Sequence, residues 1–284
     1  MKMFKLIFSL FCFLFFSEIS YAQQDIDLWT DGLPNSNGID STQPYDDAKL
    51  NFKPTMRVFL PDKSVSNHMA IICLPGGGYS HLATGHEGYD WSDYFCKLGF
   101  TYIVLKYRMP NGHREVPYSD VKEAFRLVRK YASEWGIDSQ KIGIMGSSAG
   151  GHLASTYATH ADSLSKPYFQ ILFYPVISMK DNITHEGSRN HLLGLNPSPN
   201  IVEEYSNDLK VDNNTPTSII LLSDDDKTVP CNNGVEYYLA LKRFHIPASL
   251  HVYPSGGHGW GNRTSFAFHT EMLADLTSWL KQIK

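Results

Sequence analysis

The sequence predicts an α/β fold in which a mostly parallel central sheet is flanked by helices. Short runs of β-branched and other apolar residues alternate with longer stretches of helical periodicity, a pattern typical of parallel strands joined by crossover helices. Proline or glycine closes several of these segments, as at Pro75, Gly99, Gly136 and Pro175. With 284 residues, the chain is long enough for one large domain with a sizeable core.

The predicted elements follow one another from residue 69 to near the C-terminus. We predict strands at 69–74, 102–106, 141–145, 169–174, 217–222 and 249–253, and helices at 88–98, 116–135, 150–160, 233–244 and 266–281. The stretch at 178–216 is polar and rich in Asn, Ser and Pro. An interruption of this length in a compact domain predicts a lid-like insertion or a binding loop, here placed before the strand at 217.

The first 22 residues predict a cleaved signal peptide. Two lysines precede an almost wholly apolar run at 6–16, which is shorter than the roughly 20 residues that span a bilayer. Ser-Tyr-Ala at 20–22 then places small residues where signal peptidase reads them. We therefore predict cleavage after Ala22, a catalytic domain at 23–284, and a periplasmic or extracellular protein with no stable membrane association. An uncleaved anchor helix is the alternative.

Composition excludes several classes of protein. The formal net charge is −4 and the charges are scattered, so the chain has no basic footprint for nucleic acid. After cleavage three cysteines remain, Cys73, Cys96 and Cys231. An odd number without close spacing is not a disulfide framework, although an oxidising compartment would permit one bridge. We expect Cys73 and Cys96 to be core residues. The oligomeric state is not predicted by the sequence.

The strongest motif is Gly-Ser-Ser-Ala-Gly at 146–150, a G-x-S-x-G between a predicted strand and a predicted helix. A nucleophilic serine on a sharp strand-to-helix turn needs small flanking residues, because larger side chains would collide there. Ser148 is therefore the candidate nucleophile.

A serine hydroxyl needs a base, and in chain order an acid and then a histidine should follow the serine. His258 lies in the glycine-rich loop at 254–261, directly after the last predicted strand. Three aspartates at 224–226 follow the preceding strand, and one of them should orient the imidazole. We favour Asp226, with Asp225 second. A cation site at the aspartates is a weaker alternative, because no second cluster of ligands is visible.

Pro-Gly-Gly-Gly-Tyr at 75–79 follows the first predicted strand. Attack on a carbonyl creates an oxyanion that backbone amides must meet, and glycines let the backbone approach closely. The expected donors are the amides of Gly77, Gly78 and Ala149. A phosphate-binding loop is disfavoured, because the lysine and spacing of a P-loop are missing.

Together with His-Glu-Gly at 86–88, Lys-Tyr-Arg at 106–108 and Gly-Gly-His-Gly at 256–259, these motifs resemble bacterial α/β-hydrolase esterases. The chain looks most like exported acetylxylan-esterase-like carbohydrate esterases, which are related to hormone-sensitive-lipase-type esterases. One departure is Pro75, which stands where lipase-type relatives begin the oxyanion motif with histidine.

The resemblance implies removal of small acyl groups, chiefly acetyl, from a small acylated carbohydrate or plant polysaccharide, with no metal and no organic cofactor. The alternatives are a prolyl-oligopeptidase-like peptidase and a non-catalytic binding protein on the same scaffold. A membrane-bound lipase is disfavoured, because the insertion is polar rather than apolar. Aromatic residues near the glycine loops, Tyr79, Trp91 and Trp260 among them, could either line a sugar cleft or simply pack.

Overall fold

A computed structural model describes residues 23–39 and 53–283 of the chain. Within these residues an eight-stranded sheet has the order β1-β2-β4-β3-β5-β6-β7-β8. The strands are β1 (Gln23–Asp27), β2 (Thr55–Phe59), β3 (Ala70–Leu74), β4 (Thr101–Lys106), β5 (Ile142–Ser147), β6 (Phe169–Phe173), β7 (Thr217–Ser223) and β8 (Ala248–Tyr253). β1 and β2 pair antiparallel, as do β2 and β4, and every other pair is parallel. The predicted mostly parallel sheet is confirmed.

The helices connect these strands. They are α1 (Ser92–Lys97), α2 (Glu115–Trp135), α3 (Ser148–His160), α4 (Glu186–Leu193), α5 (Pro199–Glu204), α6 (Asn232–Arg243) and α7 (His269–Leu280), with single 3-10 turns at Tyr89–Trp91 and Asn207–Leu209. Every helix predicted from apolar periodicity is present within a few residues of its predicted bounds. The largest shift is in α1, which begins four residues later than predicted because the 3-10 turn at Tyr89–Trp91 precedes it.

Two buried apolar clusters cover the two faces of the sheet. Successive side chains of a strand point to opposite faces, so that in β3 Ile72 belongs to one cluster and Ile71 to the other. Helices α2, α3 and α6 pack on the Ile72 face, whereas α1 and α7 pack on the Ile71 face. Because both faces are covered, the central strands are buried throughout, which explains their continuous apolar runs.

The sequence analysis missed the two antiparallel strands at the sheet edge. β1 is Gln-Gln-Asp-Ile-Asp and is almost entirely exposed, so it carries no apolar pattern that would mark a strand. β2 alternates half-buried and buried residues over only five positions. Both are specified by pairing with a neighbour rather than by their own composition.

The insertion at 178–216 is not a loop throughout. It contains α4, α5 and the 3-10 turn at Asn207–Leu209, which are too short to show a convincing helical period in a polar sequence. Its interior is anchored by Asn233 of α6, whose Oδ1 accepts the amides of Ile177 and Ser178 at 3.0 and 3.1 Å. The insertion is therefore an ordered part of the domain.

A buried ion pair fastens the first described segment, residues 23–39, to the body of the domain; we call this segment the N-terminal strap. Arg108 and Asp120 are 1% and 0% exposed, and their closest approach is 2.7 Å. Trp29 of the strap donates its indole N–H to Asp120 at 2.8 Å. Asn35 accepts from the Arg108 guanidinium through both its main-chain and its side-chain oxygen. Removing the strap would therefore deprive a buried charge pair of three hydrogen bonds.

The cysteines are free thiols in the part of the chain that the structure describes. Cys73 and Cys96 are fully buried, as predicted, and burial raises the pKa of each thiol to about 12. No helix among the described residues is both long and apolar enough to cross a membrane. The predicted signal peptide at 1–22 lies outside the described residues.

Candidate active site

Four loops that follow parallel strands meet at one end of the sheet, where the carboxyl ends of the strands lie together. The loops after β3, β5, β7 and β8 carry Gly77, Ser148, Asp226 and His258, respectively. This edge is where open α/β sheets place their ligand sites. The four sequence motifs, which are separated by up to about 180 positions, therefore come together in one place.

Ser148 stands on the sharp turn between β5 and α3. Its φ is 53°, in the left-handed region that is unusual for a residue other than glycine. The flanking glycines have no room for a side chain. A Cβ on Gly146 would lie 2.2 Å from the carbonyl oxygen of Gly150, and one on Gly150 would lie 2.0 Å from the carbonyl oxygen of Leu74. The glycines thus allow the backbone strain that exposes the serine hydroxyl at the N-terminus of α3.

A continuous hydrogen-bonded chain runs from Ser148 to Asp226 through His258. Ser148 Oγ is 2.8 Å from His258 Nε2, and His258 Nδ1 is 2.6 Å from Asp226 Oδ2. The other oxygen of Asp226 accepts the amides of Thr228 and Val229 at 2.9 Å each. These amides fix the carboxylate so that one oxygen faces the imidazole, as an orienting group must.

The three consecutive aspartates have different roles in the structure. Asp226 is buried, whereas Asp224 and Asp225 are exposed. Asp225 Oδ1 accepts the Gly257 amide at 2.8 Å and so holds the loop that carries His258. The three aspartates therefore differ in burial and in hydrogen-bond partner, and these differences favour Asp226 as the residue that orients His258. No group of three or more potential metal ligands occurs among residues 23–39 and 53–283, and the cation site considered for the aspartates therefore has no support.

A cavity of about 330 Å³ opens beside Ser148. Gly77 and Gly78 line it together with Ser148 and His258, and Ala149 is the second residue of α3. No protein acceptor bonds the amides of Gly77 or Gly78 in the described part of the chain. Gly77 has a φ of 130°, and a Cβ there would lie 2.2 Å from the carbonyl oxygen of His81, so glycine is required. Gly77 and Gly78 thus border a space that can hold a small acyl group, and the role of their amides and that of Ala149 stays a prediction.

Sequence reasoning missed a buried link between the glycine loop and the histidine loop. Glu87 is 3% exposed; its Oε2 accepts the Gly76 amide at 2.8 Å, and its Oε1 accepts the Tyr174 hydroxyl at 2.9 Å. The Tyr174 hydroxyl in turn accepts the Gly261 amide at 2.7 Å. Burial, reinforced by the charge of Glu87, raises the pKa of Tyr174 well above its ordinary value. The phenol therefore stays protonated and donates a hydrogen bond to Glu87.

The ring of Tyr174 also packs against the candidate base. Its centroid lies 4.8 Å from that of His258, with the planes inclined at 63°. One residue therefore contacts the imidazole with its ring and fixes the loop behind it with its hydroxyl. The His-Glu-Gly motif was the only sequence signal for this link, and it did not reveal the contact with residue 174, which is 87 positions away.

Further histidines surround the cavity. His81, His86, His185 and His191 line it beside His258. Two of them come from the insertion, which therefore forms part of the cavity wall. Burial lowers the pKa of both His86 and His185 from their ordinary value. His152, one turn after Ser148, is instead fully buried in the core, in agreement with its interpretation as a packing residue.

The aromatic residues considered for a sugar cleft are packing residues. Tyr79, Trp91 and Trp260 are 1%, 0% and 4% exposed, and none of them lines the cavity. Trp260 stacks on Phe266 at a centroid distance of 4.3 Å. The cavity wall is built mainly from histidines and glycines instead.

A second Ser–His–Asp set lies at the far edge of the sheet; we call it the β8 set. Ser249 Oγ is 2.9 Å from His251 Nε2, and His251 Nδ1 is 3.2 Å from Asp275 Oδ2. Tyr253 donates its hydroxyl to the same oxygen of Asp275 at 2.8 Å. Ser249, His251 and Asp275 border a cavity of about 650 Å³, which is larger than the cavity beside Ser148.

Comparison with known proteins identifies the kind of protein that this chain resembles. The BD-FAE family matches residues 56–241. An acetylxylan esterase of Xylanibacter ruminicola is 43% identical over 235 residues, which cover 81% of this chain and 48% of that protein. Endo-1,4-beta-xylanase B of Butyrivibrio fibrisolvens is 33% identical over 228 residues, covering 75% of this chain and 35% of the other. The chain thus spans about half of the first relative's length and about a third of the second's.

Among solved structures, an acetyl ester-xyloside bifunctional hydrolase from Caldicellulosiruptor lactoaceticus superposes with a TM-score of 0.80 at 34% identity, covering 94% of this chain and 98% of that one. A carboxylesterase from Lactobacillus plantarum superposes with a TM-score of 0.66 at 27% identity, covering 83% and 96%. These matches confirm the predicted α/β-hydrolase fold, and the names of the relatives agree with the predicted class of ester hydrolases.

Proposed function

The chain belongs to the BD-FAE family of α/β hydrolases, and we propose that it is a serine esterase that removes small acyl groups, acetyl above all, from carbohydrate. The observation that carries the proposal is the series of hydrogen bonds from Ser148 through His258 to Asp226. Ser148 and His258 line a cavity together with Gly77 and Gly78. A weak nucleophile, its base and the group that orients the base are thus held within hydrogen-bond reach of one another.

The first step forms an acyl-enzyme. Ser148 Oγ bonds to the ester carbonyl carbon while His258 Nε2 takes the hydroxyl proton. The carbonyl electrons move onto its oxygen, which the amides of Gly77, Gly78 and Ala149 then stabilise. Collapse of this intermediate breaks the bond to the sugar oxygen, and His258 returns the proton to that oxygen as the alcohol leaves.

The second step releases the acid. A water molecule gives one proton to His258 Nε2 and bonds to the acyl carbon, and the same amides stabilise the second oxyanion. Its collapse breaks the bond to Ser148 Oγ, which recovers the proton from His258. Throughout, Asp226 accepts a hydrogen bond from the Nδ1–H group of His258 and stabilises the imidazolium that forms in each step. No metal or organic cofactor takes part in this sequence.

Three observations support a short acyl group on a carbohydrate. The cavity is about 330 Å³ and is walled by ordered glycine loops and by α4, which favours acetyl over long acyl chains. Three of the relatives compared above are named for acetylxylan ester, xylan or acetyl ester-xyloside hydrolysis. Polar imidazoles rather than apolar side chains line the cavity, and such groups suit an alcohol that carries hydroxyl groups.

We further propose that the enzyme is exported as a single catalytic domain at 23–284. The basic and apolar start of the sequence supports this proposal. Acylated plant polysaccharides are also too large to enter a cell, so an enzyme that acts on them works outside the cytoplasm.

The test compares p-nitrophenyl acetate, butyrate and octanoate with wild-type protein, Ser148→Ala and the control Ser249→Ala. We expect acetate to be the fastest substrate and Ser148→Ala to lower kcat/KM by about a thousandfold or more. Ser249→Ala removes an equivalent hydroxyl from the β8 set and should leave all three rates unchanged. Equal rates for wild type and Ser148→Ala would exclude the proposed nucleophile, and octanoate as the fastest substrate would exclude the preference for short acyl groups.

A further inference from the structure

The insertion places one imidazole in the active-site cavity that the proposed reaction does not use. His185 immediately precedes α4 and lines the cavity together with Ser148 and His258. Its Cε1 lies 3.6 Å from the position that a Cβ on Gly78 would occupy. The ring therefore stands beside the amides proposed for the oxyanion, on a segment of chain that the catalytic motifs do not include.

Hydrogen bonding at the start of α4 fixes the tautomer of His185. The Ser188 amide donates to His185 Nδ1 at 3.3 Å, and the Ser188 hydroxyl lies 2.8 Å from the same nitrogen. A backbone amide is only a donor, so Nδ1 must present its lone pair. The neutral ring then carries its proton on Nε2.

The surroundings keep this ring neutral. Burial lowers the pKa of His185, and the neighbouring His258 and His191 lower it further. The charge of Asp226 raises this pKa, but its effect is smaller. Near neutral pH, His185 therefore presents an uncharged N–H donor. Among the described residues no hydrogen bond is made by Nε2, and His185 lines the cavity, so its N–H group is available to an oxygen atom of a ligand bound there.

The position of this donor indicates which oxygen it meets. In the proposed reaction the carbonyl oxygen accepts hydrogen bonds from the amides of Gly77, Gly78 and Ala149. The alcohol half of the ester must lie near His258, because His258 protonates the departing oxygen. His185 lines the same cavity as Ser148 and His258, so it borders the space that the ester must occupy. Because the backbone amides are assigned to the carbonyl oxygen, an oxygen of the alcohol half is the remaining acceptor for His185.

We propose that His185 Nε2–H donates a hydrogen bond to a free hydroxyl of the sugar next to the ester, and so selects polyhydroxylated alcohols over simple aryl or alkyl ones. The inference rests on the proposed esterase function and adds a specificity-determining residue to it. Because a hydroxyl both donates and accepts, a donor with a fixed tautomer selects the orientation of that hydroxyl as well as its presence.

The test uses two substrates and two variants. The substrates are a methyl xyloside with one acetyl group and free neighbouring hydroxyls, and p-nitrophenyl acetate, which has no hydroxyl. His185→Asn retains a side-chain acceptor for the start of α4 but is too short to offer the donor in the cavity. His251→Asn is the control, because it makes the same substitution at a histidine of the β8 set, which does not line the active-site cavity.

We expect His185→Asn to lower kcat/KM for the monoacetylated xyloside about tenfold, mainly through KM, since one hydrogen bond to a neutral group is lost. For p-nitrophenyl acetate the same variant should stay within about twofold of wild type. His251→Asn should change kcat/KM for neither substrate by more than about twofold. Urea unfolding of each variant checks that the fold is retained.

Three outcomes would overturn the inference. If wild type hydrolyses both substrates and His185→Asn loses activity equally on both, the residue is structural. If it loses activity on neither, Nε2 does not contact the sugar. If wild type hydrolyses p-nitrophenyl acetate but not the xyloside, the carbohydrate half of the proposed function fails as well. A loss confined to the xyloside supports both proposals.

Discussion

Two Ser–His–Asp sets in this molecule have the same order of contacts but different surroundings. In both, the serine Oγ lies within 2.9 Å of a histidine Nε2, and an aspartate carboxylate faces the other ring nitrogen. In the Ser148 set, the histidine and aspartate side chains are 17% and 1% exposed. In the β8 set they are 28% and 35% exposed. The first set is withdrawn from solvent, and the second is not.

The backbone differs even more than the burial. Ser148 has a left-handed φ at the N-terminus of α3, beside unbonded glycine amides. Ser249 lies within a regular strand, and no helix begins there. The β8 set nevertheless borders the larger cavity. Hydrogen-bond connectivity and the volume of the neighbouring cavity do not distinguish the two serines in favour of Ser148. We therefore base the choice of Ser148 on its strained turn beside the glycine amides.

The largest expected difference between the sets concerns their aspartates. Asp226→Asn should lower kcat on p-nitrophenyl acetate by about 10³- to 10⁴-fold, because an amide facing His258 no longer secures the tautomer that accepts the serine proton. Asp275→Asn makes the same chemical change in the β8 set and should leave kcat within about twofold. Steady-state kinetics of both variants give the answer. Comparable losses in the two variants would mean that both sets take part in the reaction.

The stability of the protein should fall in acid because a histidine is buried in the helix that begins at Ser148. His152, in the helix that begins at Ser148, has its pKa lowered by burial from 6.5 to about 4. As pH falls below 6.5 the unfolded chain binds a proton at this residue, whereas the folded chain does not until pH is near 4. The free energy of unfolding should therefore fall by on the order of 3 kcal/mol across that window.

Urea unfolding between pH 7 and pH 4.5 measures this loss. His152→Gln removes the titrating group, so the variant should lose less stability over the window than wild type, whatever its stability at pH 7. The comparison between variant and wild type cancels the contribution of the carboxylates that titrate in the same range. Parallel pH dependences for the two proteins would contradict the assignment to His152.

The smallest expected effect concerns the tyrosine hydroxyl beside each Ser–His–Asp set, that of Tyr174 beside the Ser148 set and that of Tyr253 beside the β8 set. Tyr174→Phe keeps the ring that packs on His258 but removes the bridge between Glu87 and the Gly261 amide. We expect kcat to fall about tenfold with little change in KM, because one buried hydrogen-bonded link that positions the base is lost.

Tyr253→Phe is the matched control, since its hydroxyl donates to Asp275 in the β8 set. It should change kcat by less than about twofold. If Tyr174→Phe raises KM while leaving kcat unchanged, the hydroxyl shapes the cavity rather than positioning His258.

The strands and helices of the central sheet were predictable because each is long and nearly continuous in its pattern. β3 and α2, for example, have apolar residues at almost every buried position. Ser148 and His258 were predictable for a different reason, since a nucleophile turn and a glycine-rich histidine loop constrain the local sequence. Asp226 was favoured by its distance from the Val-Pro pair at 229–230, and the structure separates it from its neighbours by burial.

The remaining features could not be predicted, because they depend on contacts between distant parts of the chain. β1 is a strand only because β2 pairs with it, and its own residues are polar. Glu87 and Tyr174 form a hydrogen bond although they are 87 positions apart, and the local sequence around neither residue predicts this contact. His185 lies in a polar stretch where nothing in the sequence shows that α4 forms or which way an imidazole would face.

The N-terminal strap has a consequence for the order of folding. Arg108 and Asp120 are 12 positions apart, whereas Trp29 must find Asp120 across 91 positions. Closing the longer loop costs about 2 kcal/mol more in chain entropy, so we expect the ion pair to assemble first and the strap to dock onto it afterwards. During synthesis the strap leaves the ribosome well before its binding surface exists. The first described residues to be made are therefore among the last to become ordered.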